Sequence, residues 1–290
     1  MSIQSKVNEI LSAHGLDFKI TKLPLVGYES GDQLITPYYG LFNSQSGECI
    51  NTVKEGYHVS QNADVVEMVL KGIERYSDKL TVSKAGSING GRRVFMQLEI
   101  EGDSKVGDDL IKRYVTIIDS NDGSTGLSVG IGDEVAHCEN QFFKFYNKGN
   151  AKFRHTATLN EKIKSIPNLI DFALNESLKQ IKIYKKFQST PLTQALAHKM
   201  VNAVLGYDRL SPLDSLTTKS INRMETLYSN IATECNIVGN NVWGLFNGLT
   251  RFTTHEQTVP KRVNGKSESL LIGSAYKKAI TGFELCLNNI

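Results

Sequence analysis

A segment rich in cations and aromatic rings contains the residue types best suited to chemistry in this sequence. Residues 141–160 include no aspartate or glutamate. Its cations are Lys144, Lys148, Lys152 and Arg154, followed by His155, and its rings are Phe142, Phe143, Phe145, Tyr146 and Phe153. Cations neutralise phosphates, and rings stack on bases with a gain of about 1 to 3 kcal/mol per base. The segment indicates a contact with single-stranded nucleic acid, unless its rings belong to the core and its lysines are simply solvated.

Two basic pairs precede this segment and offer further contacts for a polyanion. Arg92 and Arg93 follow a glycine-rich turn, and Lys112 and Arg113 open the next long strand-like run. Neighbouring residues of a strand point to opposite faces, so one member of each pair can face a given side. The pairs can extend a basic groove along a sheet, whereas a solvated edge that prevents aggregation is the alternative.

Four acidic residues, Asp119, Asp122, Asp133 and Glu134, offer a third interpretation as a nuclease. That activity would require at least two of the carboxylates to converge around Mg²⁺. Asp122 lies in the tripeptide Asn-Asp-Gly, which is typical of a tight turn because Asn and Gly adopt positive φ at little cost. We therefore expect these acids to serve turn geometry rather than metal binding.

Other catalytic patterns are absent from the sequence. The six histidines are scattered, and neither a nucleophile elbow nor an HExxH pair occurs. His137 beside Cys138 could bind a metal with two further ligands, but a hydrogen-bonded histidine is the simpler interpretation. The four cysteines are widely spaced without a CxxC pair, which favours reduced thiols over disulfides or zinc. We expect a binding protein rather than an enzyme, with no metal and no cofactor.

The first half of the chain carries the signals of an antiparallel sheet with a packed helix. Asn89-Gly90-Gly91 is a strong hairpin signal between two runs of alternating apolar residues. The predicted strands are 17–26, 35–42, 80–88, 92–100, 110–119 and 127–135. A short helix ending at Gly15 and a second helix over 62–76, with Asn62 as its N-cap, complete this half.

The second half is predicted to be almost entirely helical. Apolar residues recur at helical spacing, and prolines stand at starts or first turns, where they are tolerated. The predicted helices are 159–187, 192–205, 213–235, 241–255 and 267–287. The sequence thus indicates an α+β fold, with an antiparallel β-meander and a packed helix followed by a mostly helical half. We place an α+β domain at 1–155 and a helical region at 156–290, which together can form one continuous domain.

Charge is distributed unevenly between the two halves. Residues 1–140 hold 13 Lys and Arg against 20 Asp and Glu, net −7, and residues 141–290 hold 20 against 10, net +10. A basic half can meet a polyanion, and oppositely charged surfaces can attract each other between subunits. The asymmetry therefore predicts both nucleic-acid binding and a homo-oligomer whose assembly weakens with salt.

The chain carries no sign of secretion or membrane insertion. Its start lacks a basic region followed by an unbroken apolar run, and no window approaches the roughly 18 apolar residues of a membrane span. We expect a protein of the cytoplasm without a membrane partner.

Five short pieces, taken in order, resemble a family. They are 86–95, 114–124, 138–140, 153–156 and 240–250, and the resemblance covers roughly residues 35–285. In this order and spacing they look like the phage/plasmid-like proteins that are classed as a domain of unknown function. The strand-meander-plus-helix plan is also similar to that of phage single-strand annealing proteins of the RecT and Redβ kind.

The resemblance implies a set of polar landmarks and a biological setting. The landmarks are Arg92, Arg93, Asn140, Arg154, His155, Trp243, Asn247 and Thr250. Among them Arg154 and His155 are the stronger candidates for ligand contacts, whereas Trp243 fits a core. The leading expectation is a non-catalytic protein of a phage or mobile element that binds and anneals single-stranded DNA in the host cytoplasm. The alternative is an interaction protein that inhibits or modulates a host factor, such as a defence system.

Overall fold

The computed structural model of the chain describes residues 2–76, 79–146, 152–207 and 216–290. About 45% of the chain is helical and 30% is in strands, with antiparallel sheets in the first half and helices in the second. The predicted α+β class is therefore confirmed. Among the described residues, no helix is both long and apolar enough to span a membrane.

The large sheet is an antiparallel meander. Its strands are β4 (Leu80–Ile88), β5 (Arg93–Val106), β6 (Asp109–Ser120), β7 (Leu127–Val135), β8 (Asn140–Phe145) and the short β9 (Lys152–Phe153). They follow one another in chain order, except that β9 pairs with the start of β7. Asn89, Gly90 and Gly91 all have positive φ at the turn between β4 and β5, as the sequence predicts.

A small second sheet is formed by β1 (Ile20–Glu29), β2 (Asp32–Asn43) and β3 (Cys49–Lys54) in that order. The sequence predicts the first two strands but stops short of the tip that joins them, because polar and apolar residues there lack strict alternation. Near the base of the hairpin Leu41 and Ile50 are fully buried, and they attach this sheet to the main core.

Helices surround the large sheet. They are α1 (Ile3–Ala13), α2 (Asn62–Glu74), α3 (Leu159–Ile163), α4 (Ile166–Ser189), α5 (Gln194–Leu205), α6 (Thr218–Val238), α7 (Val242–Arg251), α8 (Gly265–Leu271) and α9 (Ser274–Leu287). A short π-helix, Phe252–Glu256, continues α7. Asn62 is the first residue of α2 rather than its N-cap, and its amide donates to the carbonyl oxygens of Leu16 and Phe18 instead.

Two of the predicted helices are divided. The predicted helix 159–187 is split into α3 and α4, because Pro167 in the first turn of α4 lacks a backbone N–H and suits a helix start. The predicted helix 267–287 breaks at Gly273, where an added Cβ would press against the backbone of Ser269. Part of the predicted helix 213–235 lies outside the described residues, and α6 covers the remainder.

Both faces of the large sheet are packed against helices. One face places Met96, Val115 and Ile131 against α2 and the first half of α4. Further along, Val135 and Phe142 meet the second half of α4 together with α5, α6 and α7. The other face packs on α8 and α9 through residues such as Phe95, Ile118 and Phe143. Because helices cover both faces of the sheet, the polar side chains of the candidate site lie at the ends of the strands.

Candidate nucleic-acid site

Two loops and one tyrosine line a cavity of about 360 Å³ at the end of β6. The first loop, residues 121–126, joins β6 to β7, and the second, residues 154–156, follows β9. The loops are adjacent because β6 and β9 both pair with the start of β7. The lining residues are Tyr57, Gly123, Ser124, Thr125, Gly126, Lys152, Arg154, His155 and Thr156.

His155 is buried beneath this cavity and is held at both ring nitrogens. Its Nδ1 lies 3.0 Å from the carbonyl oxygen of His58, and its Nε2 lies 2.8 Å from Oδ1 of Asp119. The ring of Tyr57 stacks on the imidazole, with centroids 4.9 Å apart. The pair of His155 and Asp119 therefore connects the second loop to the end of β6 and supports the aromatic wall of the cavity.

The two hydrogen bonds of His155 determine its charge. A carbonyl oxygen and a carboxylate both accept, so both ring nitrogens carry hydrogen and the imidazole is cationic. Burial lowers the pKa of His155, but the hydrogen bond and charge of Asp119, together with the His58 carbonyl, raise it by more, so the net direction is upward. His155 is thus the cationic partner of a buried Asp119.

The first loop is held by a hydrogen bond of its own Asp122 and by side chains of the neighbouring strands. Asp122 accepts from the backbone N–H of Ser124 at 2.9 Å and pairs with Nε of Arg93 at 2.8 Å. Ser120 accepts from the backbone N–H of Thr125 at 3.0 Å. The Asn-Asp-Gly tripeptide lies in this longer loop rather than in the tight turn expected, because Gly123 has a positive φ and Asn121 does not. The acid of the tripeptide, Asp122, is neutralised by an arginine of a neighbouring strand.

Gly126 allows the two loops to approach each other. An added Cβ at this position would collide with the backbone carbonyl oxygen of Phe153. We expect Gly126→Ala to lower the free energy of unfolding by about 1 to 3 kcal/mol, because backbone cannot move aside as a side chain can. The measurement is urea denaturation followed by circular dichroism. Gly56→Ala is the matched control, since its added Cβ meets nothing within 4 Å, and an equal loss in both variants would contradict the prediction.

Lys152 and Arg154 stand at the rim of the cavity as its free cations. Both side chains are exposed. Neither makes an ion pair with any residue that the structure describes. Lys148 of the same predicted segment lies outside the described residues.

The arginine pair at the start of β5 is occupied by internal contacts. Arg92 pairs with Glu48 at 2.9 Å and also donates to the carbonyl oxygen of Ile50. Arg93 pairs with Asp122 and with Glu268, at 2.8 and 2.9 Å. Their positive charges are therefore balanced within the fold. Arg93 contributes to the cavity indirectly, by fixing the first loop.

Three other predicted cations lie away from the cavity. Arg113 is buried and donates to the carbonyl oxygen of Gly102, so it is a structural residue rather than a surface cation. Lys112 lies 3.9 Å from Glu134. Lys144 is half-buried over the ring of Phe283, 4.7 Å from its centroid, and desolvation lowers its pKa. Of the predicted set, the described residues that meet at the cavity are thus Lys152, Arg154 and His155.

The aromatic residues of the predicted segment are mostly core. Phe142, Phe143 and Phe153 are 3%, 3% and 4% exposed, so a base cannot stack on them while the chain is folded. This corrects the expectation that the rings of this segment face the ligand. The ring that lines the cavity is Tyr57, which comes from a different part of the chain.

The four acidic residues of the nuclease interpretation do not converge. Asp119 pairs with His155, and Asp122 pairs with Arg93. Asp133 pairs with Arg113 in the register of β6 and β7. Arg113 is six positions before Asp119 on β6, so Asp133 and Asp119 are separated by about 20 Å along the strands. Glu134 points to the opposite face of β7 from its neighbour, because side chains alternate along a strand. Within the described part of the chain, these four residues place no pair of free carboxylates at the cavity.

The remaining landmarks meet in a second, fully buried network. Asp109, at the other end of β6, accepts from Nε1 of Trp243 at 2.6 Å and from Nδ2 of Asn247 at 3.2 Å. Asn140 donates to Glu234 at 3.3 Å, and Thr250 donates to the backbone of Asn247. Burial raises the pKa of Asp109, and its hydrogen bonds oppose that shift. These landmarks therefore join the sheet to α6 and α7 and do not line the cavity.

A possible metal-ligand cluster lies beside that network. Ligand atoms of His137, Cys138 and Glu234 lie within 4.8 Å of one another. Burial raises the pKa of the Cys138 thiol to about 11, and Nη1 of Arg251 lies 3.1 Å from Glu234. A metal would require the thiolate and would compete with this arginine. As the chain is folded, the cluster is held by an ion pair and hydrogen bonds.

Three important residues escape the sequence analysis. Tyr57 is an isolated tyrosine after a Glu-Gly turn, and nothing nearby marks it. Asp109 stands two positions after Gly107, in a Gly-Asp-Asp sequence that is typical of a turn. Glu234 offers a signal, because it shares a helical face with Leu227 and Ile231, and an acid on an apolar face requires a buried partner.

Comparison with known proteins supports membership of a family of unknown function. One protein-family model, described as Domain of unknown function (DUF932), matches residues 49–273. The match includes Tyr57, both loops of the cavity and the buried network. Comparison with the curated proteins and with the solved structures finds no match. On the extent of this match, the chain belongs to the DUF932 family.

Proposed function

We propose that this chain binds single-stranded DNA at the cavity between residues 121–126 and 154–156 and anneals complementary strands without catalysing a reaction. The observation that carries the proposal is the pair of free cations, Lys152 and Arg154, at the rim of a cavity walled by Tyr57. The setting in phage or mobile-element recombination, as a homo-oligomer, is part of the same proposal and rests on the resemblance and on the charge asymmetry.

The charge balance at the cavity favours an anionic ligand. Asp119 and Asp122 are each matched by one internal cation, His155 and Arg93 respectively. The two carboxylates therefore do not repel a phosphate strongly, and the charges of Lys152 and Arg154 remain for the ligand. Phosphate contacts supply most of the affinity in sequence-independent binding.

The size and lining of the cavity favour a single strand over a duplex. A volume of about 360 Å³ lies near the lower end of the range for small-molecule pockets and suits one nucleotide unit. A base can contact Tyr57 only when it is not enclosed in a double helix. Binding through the sugar-phosphate backbone leaves the other base edges free to pair, which annealing requires.

The test is a fluorescence-anisotropy titration of the wild-type protein with labelled oligo-dT and with a duplex of equal length. We expect tighter binding to the single strand. The two rim cations should contribute about −1.4 to the slope of log affinity against log salt, at roughly −0.7 for each contact. No binding at low salt, or a preference for the duplex, would refute the proposal.

Annealing and cleavage are followed in the same system. Two complementary strands, one carrying a fluorophore and the other a quencher, should pair faster with the protein than without it. Addition of Mg²⁺ should leave the strand lengths unchanged on a denaturing gel. Shortened strands would instead support the nuclease interpretation.

A further inference from the structure

The metal-ligand cluster lies at the turn between β7 and β8. His137 and Cys138 belong to this turn, and Glu234 reaches it from α6. One ligand atom of each residue lies within 4.8 Å of the other two: an imidazole nitrogen, the thiol sulfur and a carboxylate oxygen. Ligand atoms around one tetrahedral ion are about 3 to 4 Å apart. A small movement of the turn therefore closes the three atoms on a common centre.

Glu234 offers an unused ligand atom to this cluster. Its side chain is fully buried, and its Oε1 accepts from Nδ2 of Asn140 and from Nη1 of Arg251, at 3.3 and 3.1 Å. Its Oε2 has no hydrogen-bond partner among the described residues. A buried carboxylate oxygen without a partner costs free energy, and a bound cation would remove that cost. Arg251 competes with an ion at Oε1 and leaves Oε2 open.

The buried network beside Glu234 has more acceptors than donors. Oδ1 of Asn140 and Oδ1 of Asn247 are buried, and neither has a hydrogen-bond partner within the part of the chain that the structure describes. Asn140 contacts Glu234 through its Nδ2, and Asn247 contacts Asp109 in the same way. A surplus of buried acceptors favours a cation at this place rather than an anion.

The charge of the cluster also favours a divalent cation. Asp109 and Glu234 are both buried carboxylates, and Arg251 is the cation that pairs with Glu234. With a protonated Cys138 thiol and a neutral His137, these groups carry a net charge of about −1. A divalent ion that replaces the thiol proton brings the sum to zero. Buried charges are stable when they are balanced in this way.

The surroundings of the cluster position its imidazole and its backbone. Oδ1 of Asp109 lies 3.5 Å from Nδ1 of His137, while two side chains of α7 hold Oδ2. A carboxylate beside one histidine nitrogen keeps hydrogen there and directs the other nitrogen to a metal. His255 of the π-helix holds the turn itself, because its Nε2 lies 3.0 Å from the carbonyl oxygen of Cys138.

We propose that His137, Cys138 and Glu234 bind one Zn²⁺ ion. Nitrogen, sulfur and oxygen ligands together suit zinc, whereas Mg²⁺ and Ca²⁺ select oxygen ligands. The thiol of Cys138 loses its proton to water as the bond between zinc and sulfur forms, and a water molecule takes the fourth position of the tetrahedron. The ion connects the turn after β7 to α6.

This site goes beyond the expectation that the chain binds no metal. That expectation relies on the lack of paired ligands in the sequence, and the third ligand, Glu234, comes from a distant helix. The zinc site and the nucleic-acid cavity lie at opposite ends of β6, with Asp109 at one end and Asp119 at the other. The two sites therefore do not depend on each other.

The first test is a zinc titration of the metal-free, reduced full chain in competition with a chromophoric chelator. The wild type should bind one Zn²⁺ ion per chain. Cys138→Ser and His137→Gln should each bind zinc more than about 100-fold more weakly, because loss of even an outer-shell partner costs roughly 10- to 100-fold. His137 is exposed, so its replacement preserves the fold.

Cys235→Ser is the matched control for this titration. Cys235 is half-buried like Cys138 and is next to Glu234 in the chain, but it does not belong to the cluster. Its variant should bind zinc as the wild type does. A wild type that binds no zinc, or a Cys138→Ser or His137→Gln variant with the affinity of the wild type, overturns the proposal.

The second test replaces zinc with Co²⁺ and reads the coordination directly. The wild type and Cys235→Ser should show the visible bands of a tetrahedral ion and a charge-transfer band from the thiolate to cobalt. Cys138→Ser should lack the charge-transfer band. An octahedral spectrum that Cys138→Ser leaves unchanged would exclude the thiolate site. Oligo-dT titration of the same variants reads the cavity separately, so the two proposals can fail independently.

Discussion

The double variant Lys152→Ala/Arg154→Ala should bind single-stranded DNA about 25-fold more weakly than the wild type at 0.1 M salt. The slope of log affinity against log salt should become shallower by about 1.4, at roughly 0.7 for each lost contact. The affinities of the two proteins converge towards 1 M salt, where the contribution of released counterions vanishes. The readout is fluorescence anisotropy with oligo-dT over a series of salt concentrations.

The physical reason is the location of the remaining charges. His155 and Arg93 are each within 2.8 Å of a carboxylate, so they cannot replace the lost cations without breaking an internal pair. Phosphate contacts carry no sequence information, so the loss should be the same for all single strands.

A matched control uses two exposed lysines far along the chain from the cavity. Lys199→Ala/Lys219→Ala removes the same number of positive charges from α5 and α6. Its affinity should fall less and its slope should change less than in the rim variant. Circular dichroism must show that both variants are folded. If the salt dependence of the affinity had the same slope in the rim variant and in the wild type, DNA would not bind at the cavity.

The large sheet and most helices could be predicted because their signals are local. Asn89-Gly90 specifies the turn that fixes the first hairpin, and the flanking residues alternate in polarity. Pro167 alone does not reveal whether a helix bends or begins at that point, so the division between α3 and α4 could not be predicted. The choice depends on packing against α2, which the sequence does not display locally.

The candidate site was predictable only in part, because its contacts are distant in the chain. The sequence marks the segment containing Lys152 and Arg154 by its cations, its aromatic rings and its lack of acids. Which rings face the ligand depends on tertiary packing, and Phe142 and Phe153 are drawn into the core by their strands. Tyr57 reaches the cavity only because the small sheet lies against the end of β6.

The pair of His155 and Asp119 shows the same limit in electrostatic terms. From the sequence, Asp119 is expected to be the first residue of a turn. His155 is expected to be one more cation of a basic segment. Their contact at 2.8 Å, in the core of the site, converts both into one internal ion pair. No property of either residue alone predicts that His155 supports the cavity rather than binding the ligand directly.

Replacement of His155 should have the largest effect on stability. His155→Ala leaves the carboxylate of Asp119 buried without its cation, and breaking a buried pair in this way costs about 3 to 5 kcal/mol. The variant should therefore unfold at much lower urea concentration than the wild type. It should also lose affinity for oligo-dT under conditions in which it is still folded, because the second loop is no longer held to the end of β6.

The pH dependence of stability separates an ionised pair from a neutral hydrogen bond. The pKa of His155 is raised in the folded chain, so its stabilising contribution is complete below the unfolded value of about 6.5. The contribution is lost as pH rises through the folded-state pKa, with a slope of at most about 1.4 kcal/mol per pH unit. Urea denaturation at a series of pH values should show this decline in the wild type and not in His155→Gln.

His198→Gln, on the exposed surface of α5, is the control and should retain the decline of stability with pH. Parallel curves for the wild type and His155→Gln would show that the pair is not ionised, and that the charge of Asp119 is not balanced by His155 at the cavity.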